Sequence, residues 1–199
     1  CKEGYGVGMY IILEYIGRMM TLAVPAAIVF LCFYPYRAKR LDKNGLKTNV
    51  WRECGLVLLV MSFAGIFATT LWSGENVGVS EINLVPFRTI FKYIKALGNG
   101  ADSFRIIAIC VIGNIVIFMP LGFFPALLFE KTTWKTSLVV GGGTSLLVEI
   151  TQYFVGRSSD IDDLILNTFG ALCGYGVFCL LKRCMPKLVG KFRCTISLK

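Results

Sequence analysis

The sequence has no histidine and few charged residues. Its 199 residues include 21 Lys and Arg and 12 Asp and Glu, so only 17% are charged, whereas 55% are hydrophobic. The absence of histidine excludes a Ser-His nucleophile, histidine acid–base catalysis and a histidine metal site. A composition with so few charged residues and so many apolar ones is atypical of a soluble domain and typical of a membrane protein with several spans.

The eight cysteines include no Cys-x-x-Cys pair and do not form the framework of a small secreted domain. Most lie inside apolar runs, where a free cysteine packs as a small hydrophobic residue. We therefore expect neither a disulfide framework nor a metal or other cofactor. The chain begins with Cys1 rather than Met, as expected of a trimmed or processed product.

Five apolar runs are long enough to cross a bilayer, which takes about 20 residues per helix. They lie near 11–34, 54–72, 104–129, 135–155 and 161–181. Backbone polar groups in lipid must be hydrogen-bonded within the protein, so these runs are predicted to be helices. The expected fold is all-α: a polytopic bundle of five transmembrane helices forming a single membrane domain over residues 1–199.

The basic residues predict an orientation. Residues 35–53, 130–135 and 182–199 hold six, two and six Lys and Arg, together 14 of the 21. Because cytoplasmic loops are enriched in Lys and Arg, these segments are predicted to lie inside, with the N-terminus outside and the C-terminus inside. Residues 182–199 then form a basic cytoplasmic tail. The net charge of +9 is explained by topology and an anionic inner leaflet, so no nucleic-acid partner is expected.

A short amphipathic helix is predicted between the second and third spans. It is expected to begin at Pro86, a residue suited to the first helical position. Apolar residues then recur at helical spacing at Phe87, Ile90, Phe91 and Ile94, and basic residues occupy the opposite face at Arg88, Lys92 and Lys95. This pattern predicts a helix in the membrane interface that either covers the bundle or brings its basic face to lipid phosphates.

Polar residues concentrate between Glu149 and Gly170, where four carboxylates, one arginine and two amides separate two apolar runs. Each ionisable group at membrane depth costs roughly 2.5–3.5 kcal/mol, so such groups are normally paired or functional. Helical phase places Gly142, Ser145, Glu149, Gln152 and Gly156 on one face of the fourth helix. The matching face of the fifth helix carries Asp160, Asp163, Asn167, Gly170 and Gly174, with Asp162 pointing away as a weaker candidate.

These two faces are predicted to meet in an outward-facing polar pocket. Asn114 of the third helix lies at a similar depth, and Arg157 is the expected cation at the rim. The pocket has three interpretations. It binds a polar or zwitterionic lipid head group or a cation; it locks the bundle, with Arg157 bridging Asp160 or Asp163 and with Glu149 and Gln152 bonding Asn167; or it is catalytic, with Glu149 as acid or base. Binding is favoured over catalysis because no nucleophile or metal cluster accompanies the carboxylates.

Several motifs together resemble the VanZ-like family over about residues 54–181. They are Asn83-Leu84-Val85-Pro86-Phe87, Asn114 with Phe118-Met119-Pro120-Leu121-Gly122, Glu149-x-x-Gln152, and Arg157-x-x-Asp160-x-x-Asp163-x-x-x-Asn167-Thr168-x-Gly170. The resemblance implies a small, multi-pass protein of a bacterial plasma membrane. The founding member is associated with low-level resistance to teicoplanin, a lipid-tailed glycopeptide, without altered peptidoglycan precursors.

From this resemblance we expect a role in glycopeptide resistance through contact with a cell-envelope lipid or a lipid-linked precursor. The alternatives are a membrane enzyme acting on a lipid-linked substrate and a structural partner protein with a fully paired polar core.

Overall fold

The computed structural model describes residues 3–71, 82–96 and 101–196, and this part of the chain is mostly helical. Its helices are α1 (Glu3–Cys32), α2 (Tyr34–Lys43), α3 (Val50–Leu71), α4 (Arg88–Ala96), α5 (Ala101–Leu128), α6 (Trp134–Phe154), α7 (Ile161–Cys184) and α8 (Pro186–Lys191). Four two-residue strands accompany them: β1 (Leu46–Lys47), β2 (Ile82–Asn83), β3 (Ser159–Asp160) and β4 (Thr195–Ile196). The prediction of a helical protein is confirmed.

In the described part of the chain, four helices contain a stretch that is long and apolar enough to cross a membrane. These stretches are Leu13–Cys32, Val50–Thr69, Cys110–Leu128 and Ile161–Cys184. They correspond to the first, second, third and fifth predicted spans. The fourth predicted span, 135–155, is a continuous helix, α6, but it is not among these candidates. Its central Gly141-Gly142-Gly143 and its polar residues lower its hydropathy, so a fifth crossing stays a prediction.

The contact between α5 and α7 brings the two backbones together. Gly170 and Gly174 of α7 face the carbonyl oxygens of Ile115 and Met119, and Gly122 of α5 faces the carbonyl oxygen of Ala171. A Cβ atom on any of the three glycines would come closer to that oxygen than real Cβ atoms do. Small residues of this kind allow close helix packing in membranes, and α7 makes its most extensive contact here.

This contact corrects the predicted pairing of the small residues. Gly170 and Gly174 were expected to face α6, but they face α5. On α6, Gly141 is the glycine that packs directly on Ala171, whereas a Cβ on Gly142 would have Thr168 Oγ1 as its nearest neighbour, at 3.4 Å. The reason is that α7 lies against both α5 and α6 and uses a different stripe for each.

Large apolar side chains cover the outside of the helices, whereas the inside is closely packed. Ile66, Phe118, Leu121 and Val148, from α3, α5 and α6, form one buried cluster. On the outer surface Leu180 is 62% exposed, one of many exposed large apolar residues. Such an apolar exterior is unfavourable in water but is satisfied by lipid, in keeping with a membrane protein.

Two small strand pairs define the two ends of the bundle. At the basic end, β1 pairs with β4 in antiparallel register, and Asn49 Nδ2 donates to the Arg193 carbonyl at 3.0 Å. At the opposite, acidic end, β2 pairs with β3 in parallel register, Ile82 with Ser159 and Asn83 with Asp160. The segments that the basic-residue count assigns to one side, 35–53 and 182–199, therefore meet at one end. The basic tail is not a loose extension, because it contains α8 and β4.

Adding one methyl group at Gly174 should destabilise the protein, because it would press on the Met119 carbonyl. We expect Gly174→Ala to lower the free energy of unfolding by about 1–3 kcal/mol. Gly176→Ala is the matched control on the same helix, since a Cβ there meets nothing within 4 Å. Thermal unfolding of both variants in detergent checks this, and equal melting temperatures would contradict the backbone contact.

Candidate functional site

The turn between α6 and α7 is fixed by Glu149. Gly156 has φ +79°, a left-handed conformation that glycine adopts without strain, and it reverses the chain after α6. Glu149 Oε2 then accepts the Ser159 hydroxyl at 2.9 Å and the Asp160 N–H at 2.8 Å. The Glu149 side chain is only 6% exposed, so this carboxylate is a buried acceptor at the acidic end.

Asp162 of α7 is hydrogen-bonded to the start of α4. Its Oδ2 accepts the N–H groups of Thr89 at 2.8 Å and Ile90 at 3.1 Å, and its Oδ1 accepts the N–H of Phe87. These amides lie at the N-terminus of α4, where helical N–H groups lack partners within the helix. Asp162, which is 1% exposed, therefore caps α4 from a distant part of the sequence by accepting these N–H groups.

Two expectations from the sequence are corrected at this contact. Helix α4 begins at Arg88 rather than at Pro86, because Phe87 adopts φ 65° and cannot continue a right-handed helix. Asp162 does point away from α6, but it is one of the most buried polar residues rather than a minor one. Helical phase shows its direction; it does not show that α4 lies there.

Asp160 holds the segment that leads into α4. Its Oδ1 accepts Asn83 Nδ2 at 3.0 Å and the Asp162 N–H at 2.9 Å, so it also caps α7. Its Oδ2 accepts the Thr89 hydroxyl at 2.5 Å. Asn83 Oδ1 in turn accepts the Val85 N–H at 3.3 Å. Neither Asn83 nor Thr89 was predicted as a site residue, although Asn83 begins the Asn-Leu-Val-Pro-Phe motif.

The predicted polar faces of α6 and α7 do meet, and we call this contact the α6–α7 seam. Asn167 Nδ2 donates to Ser145 Oγ at 3.0 Å, with Asn167 only 4% exposed. On the other side of α7, Asn114 Nδ2 donates to Asp163 Oδ1 at 2.7 Å. The structure thus brings Asn114 to Asp163, another of the predicted site residues.

Gln152, Asn167 and Arg157 complete the set of predicted site residues. Within the described part of the chain, Gln152 Oε1 and Asn167 Oδ1 are buried acceptors without a hydrogen-bond donor. Arg157 is half-buried, and its charge acts on the Glu149 carboxylate. The aspartates therefore join α4, α5 and α7, whereas Gln152 and Asn167 each keep a buried acceptor atom without a donor.

Helix α4 carries the second half of the candidate site. The predicted lipid-contact residues Arg88, Lys92 and Lys95 are all exposed. Phe91 and Ile94 of the apolar face are also exposed, by 58% and 53%. Both faces of α4 are thus turned outward at the acidic end. Among residues 3–71, 82–96 and 101–196, no group of three His, Cys, Asp or Glu side chains is arranged to hold a metal ion.

Removing the Asp162 carboxylate should release the start of α4, because three backbone N–H groups lose their acceptor. We expect Asp162→Ala to accelerate amide hydrogen exchange at Phe87, Thr89 and Ile90 by about tenfold or more. Asp163→Ala is the control: it removes the neighbouring carboxylate, which bonds Asn114 on α5. Equal exchange at these amides in both variants would rule out the capping role.

Comparison with known proteins agrees with this architecture. The family model described as VanZ/LLP1 matches residues 21–182, so the match begins within α1 rather than near residue 54 as predicted. No curated protein and no solved structure matches the chain. The matched region covers most of the chain and includes α4, the α6–α7 seam and every residue of the candidate site. The chain therefore belongs to the VanZ/LLP1 family.

Proposed function

We propose that this protein binds the head group of a cell-envelope lipid, or of a lipid-linked precursor, at the outer leaflet of a bacterial plasma membrane. By holding or rearranging that lipid it confers low-level resistance to teicoplanin and related lipoglycopeptides. The observation that carries the proposal is the pair of unpartnered acceptors, Gln152 Oε1 and Asn167 Oδ1, on either side of Glu149 along α6–α7. A buried polar group without a partner costs about 1–3 kcal/mol, which favours a ligand that brings N–H or O–H donors.

The proposal includes five spans, with the N-terminus outside and the C-terminus inside. Two properties of α6 support it as the fifth span. Its 21 residues are about 31 Å long, close to the thickness of the hydrocarbon core. Its polarity is also inverted: Ser137, Ser145 and Glu149 are buried, whereas Val139 and Leu147 are exposed by 71% and 56%. A helix that is polar inside and apolar outside fits a lipid environment.

Helix α4 supports a lipid rather than a soluble ligand. Asp162 fixes the N-terminus of α4 beside the start of α7, so the basic residues of α4 lie at the same acidic end of the bundle as Glu149. In the interface plane, the apolar face would enter the membrane and the basic face would meet phosphates. A head group carrying both donors and a phosphate would then engage the seam and α4 together.

An enzyme acting on a lipid-linked substrate is the second candidate, with Glu149 as its acid or base. Acid–base work of this type needs a second group beside the substrate. Asp160 already accepts from Asn83 and Thr89, and Asp163 accepts from Asn114. Because these neighbouring carboxylates are engaged in structural hydrogen bonds, binding is the function that we put forward.

Replacing Glu149 by glutamine tests the site directly. Gln Oε1 can still accept from Ser159 and Asp160, so the turn should remain folded while the charge is lost. We expect Glu149→Gln to abolish teicoplanin protection in a susceptible bacterium that expresses the chain. Glu130→Gln, at an exposed carboxylate of the opposite end, should leave protection unchanged. Unaltered susceptibility of the Glu149 variant at equal membrane abundance would refute the proposed site.

A graded change of charge tests α4. Neutralising Arg88, Lys92 and Lys95 to Gln should weaken protection, and reversing all three to Glu should weaken it further. Each basic residue near an anionic surface contributes about 1 kcal/mol, so the two triple variants differ in a predictable order. The measurement is teicoplanin susceptibility at matched expression. Equal protection by both variants and the parent would contradict a lipid-binding role for the basic face, and α4 would then only cover the bundle.

A further inference from the structure

Two arginines lie together at the basic end of the bundle, far from the site discussed above. Arg52 of α3 donates from Nη1 to the Leu128 carbonyl at 2.8 Å, and Arg193 donates from Nη2 to the Ala126 carbonyl at 2.9 Å. Both carbonyls belong to the last turn of α5. Asn49 fixes the backbone of Arg193 beside α3 through its bond to the Arg193 carbonyl. The two guanidinium groups therefore converge on one helix terminus.

Neither guanidinium is fully satisfied by the protein. In the described residues, Arg52 Nε and Arg193 Nη1 are buried and have no hydrogen-bond acceptor. Burial lowers the pKa of Arg193; the negative charge of Glu130 opposes this effect, and the like charge of Arg52 adds to it. The ion pairs within the described ranges are Glu14–Arg18 and Arg37–Glu53, so neither arginine is in one.

Arg37, at the same end of the bundle, provides the internal comparison. Its Nη2 meets Glu53 Oε2 at 2.6 Å, and its guanidinium lies 3.6 Å from the centre of the Phe30 ring. Arg37 Nε also lacks an acceptor, but Arg37 has a carboxylate partner, whereas no carboxylate among the described residues lies within bonding distance of Arg52 or Arg193. Each arginine uses one N–H to cap the C-terminus of α5. The helix terminus carries about half a negative charge, so it offsets only a small part of the two positive charges.

We propose that Arg52 and Arg193 form a binding site for a phosphate group at the basic end of the bundle. Guanidinium groups bind phosphate in a bidentate manner, and two of them side by side match its several oxygens. The surroundings fit a membrane surface: Trp51 is 49% exposed, as interfacial tryptophans are, and the Lys191 ammonium lies 5.3 Å from the centre of its ring. The phosphate belongs either to an anionic phospholipid or to free inorganic phosphate. This site shares no residue with the α6–α7 seam, so each proposal can fail without the other.

The test is ligand binding by the full chain purified in a neutral detergent. Phosphatidylglycerol binding is measured by native mass spectrometry and by the rise in melting temperature. The double variant Arg52→Gln with Arg193→Gln should bind about tenfold more weakly or worse, because charge-assisted hydrogen bonds are lost. Lys182→Gln with Arg183→Gln is the matched control: it removes two positive charges from the exposed last turn of α7 and should change binding less than about twofold. Equal weakening in both double variants would overturn the proposal.

A charge-preserving variant separates geometry from charge. Arg52→Lys with Arg193→Lys keeps both charges and can still donate to the α5 carbonyls, but it lacks the planar fork. Its binding should also fall, and parent-like binding would overturn the proposal. Inorganic phosphate, compared with chloride at equal ionic strength, forms the second arm. Stabilisation by phosphatidylglycerol alone identifies the lipid as the source, stabilisation by phosphate identifies the free anion, and no response of the parent to either refutes the site.

Discussion

The start of α7 carries three aspartates whose carboxylates accept hydrogen bonds from the segments that surround it. Asp160 bonds Asn83 and Thr89, Asp162 bonds the N-terminal amides of α4, and Asp163 bonds Asn114 of α5. Negative charge at a helix N-terminus is favourable in itself, and here it also supplies acceptors to donors that would otherwise lie unpaired at the membrane edge. Together with the β2–β3 pairing, these bonds hold the segment before α4 against the turn after α6.

The same arrangement divides the polar residues into two groups. The aspartates are engaged in holding α4 and α5, which is the structural role that the sequence left open. Glu149 braces the α6–α7 turn, while Gln152 and Asn167 keep an acceptor without a donor in the described chain. The proposed binding site is therefore compatible with a locked bundle, because Gln152 and Asn167 each keep an acceptor atom that the locking bonds do not use.

In the inner part of the bundle, close packing of the helix backbones rather than hydrogen bonding determines how α5 and α7 meet. Glycines at 122, 170 and 174 bring α5 and α7 to backbone contact, and α6 turns its small and polar residues toward α7 and its apolar residues outward. At the basic end, by contrast, Arg52 and Arg193 are placed close together with unpaired donors. The two ends thus have opposite chemistry, acceptors at one and cationic donors at the other.

The sequence by itself predicted the helical class, five apolar spans of which four are membrane-crossing candidates in the described structure, the basic and amphipathic patterns, the family resemblance, and which polar residues share a helix face. Helical phase placed Ser145 and Asn167 on facing stripes, and depth along the third helix placed Asn114 at the level of the site; the structure bonds Asn167 to Ser145 and Asn114 to Asp163. Only the tertiary structure decided that Asp162 caps α4, that Asn83 and Thr89 bond Asp160, and that Gly170 and Gly174 face α5. The physical reason is that periodicity within one helix fixes the direction of each side chain. It does not fix which neighbour lies in that direction, and α7 contacts α4, α5, α6 and α8.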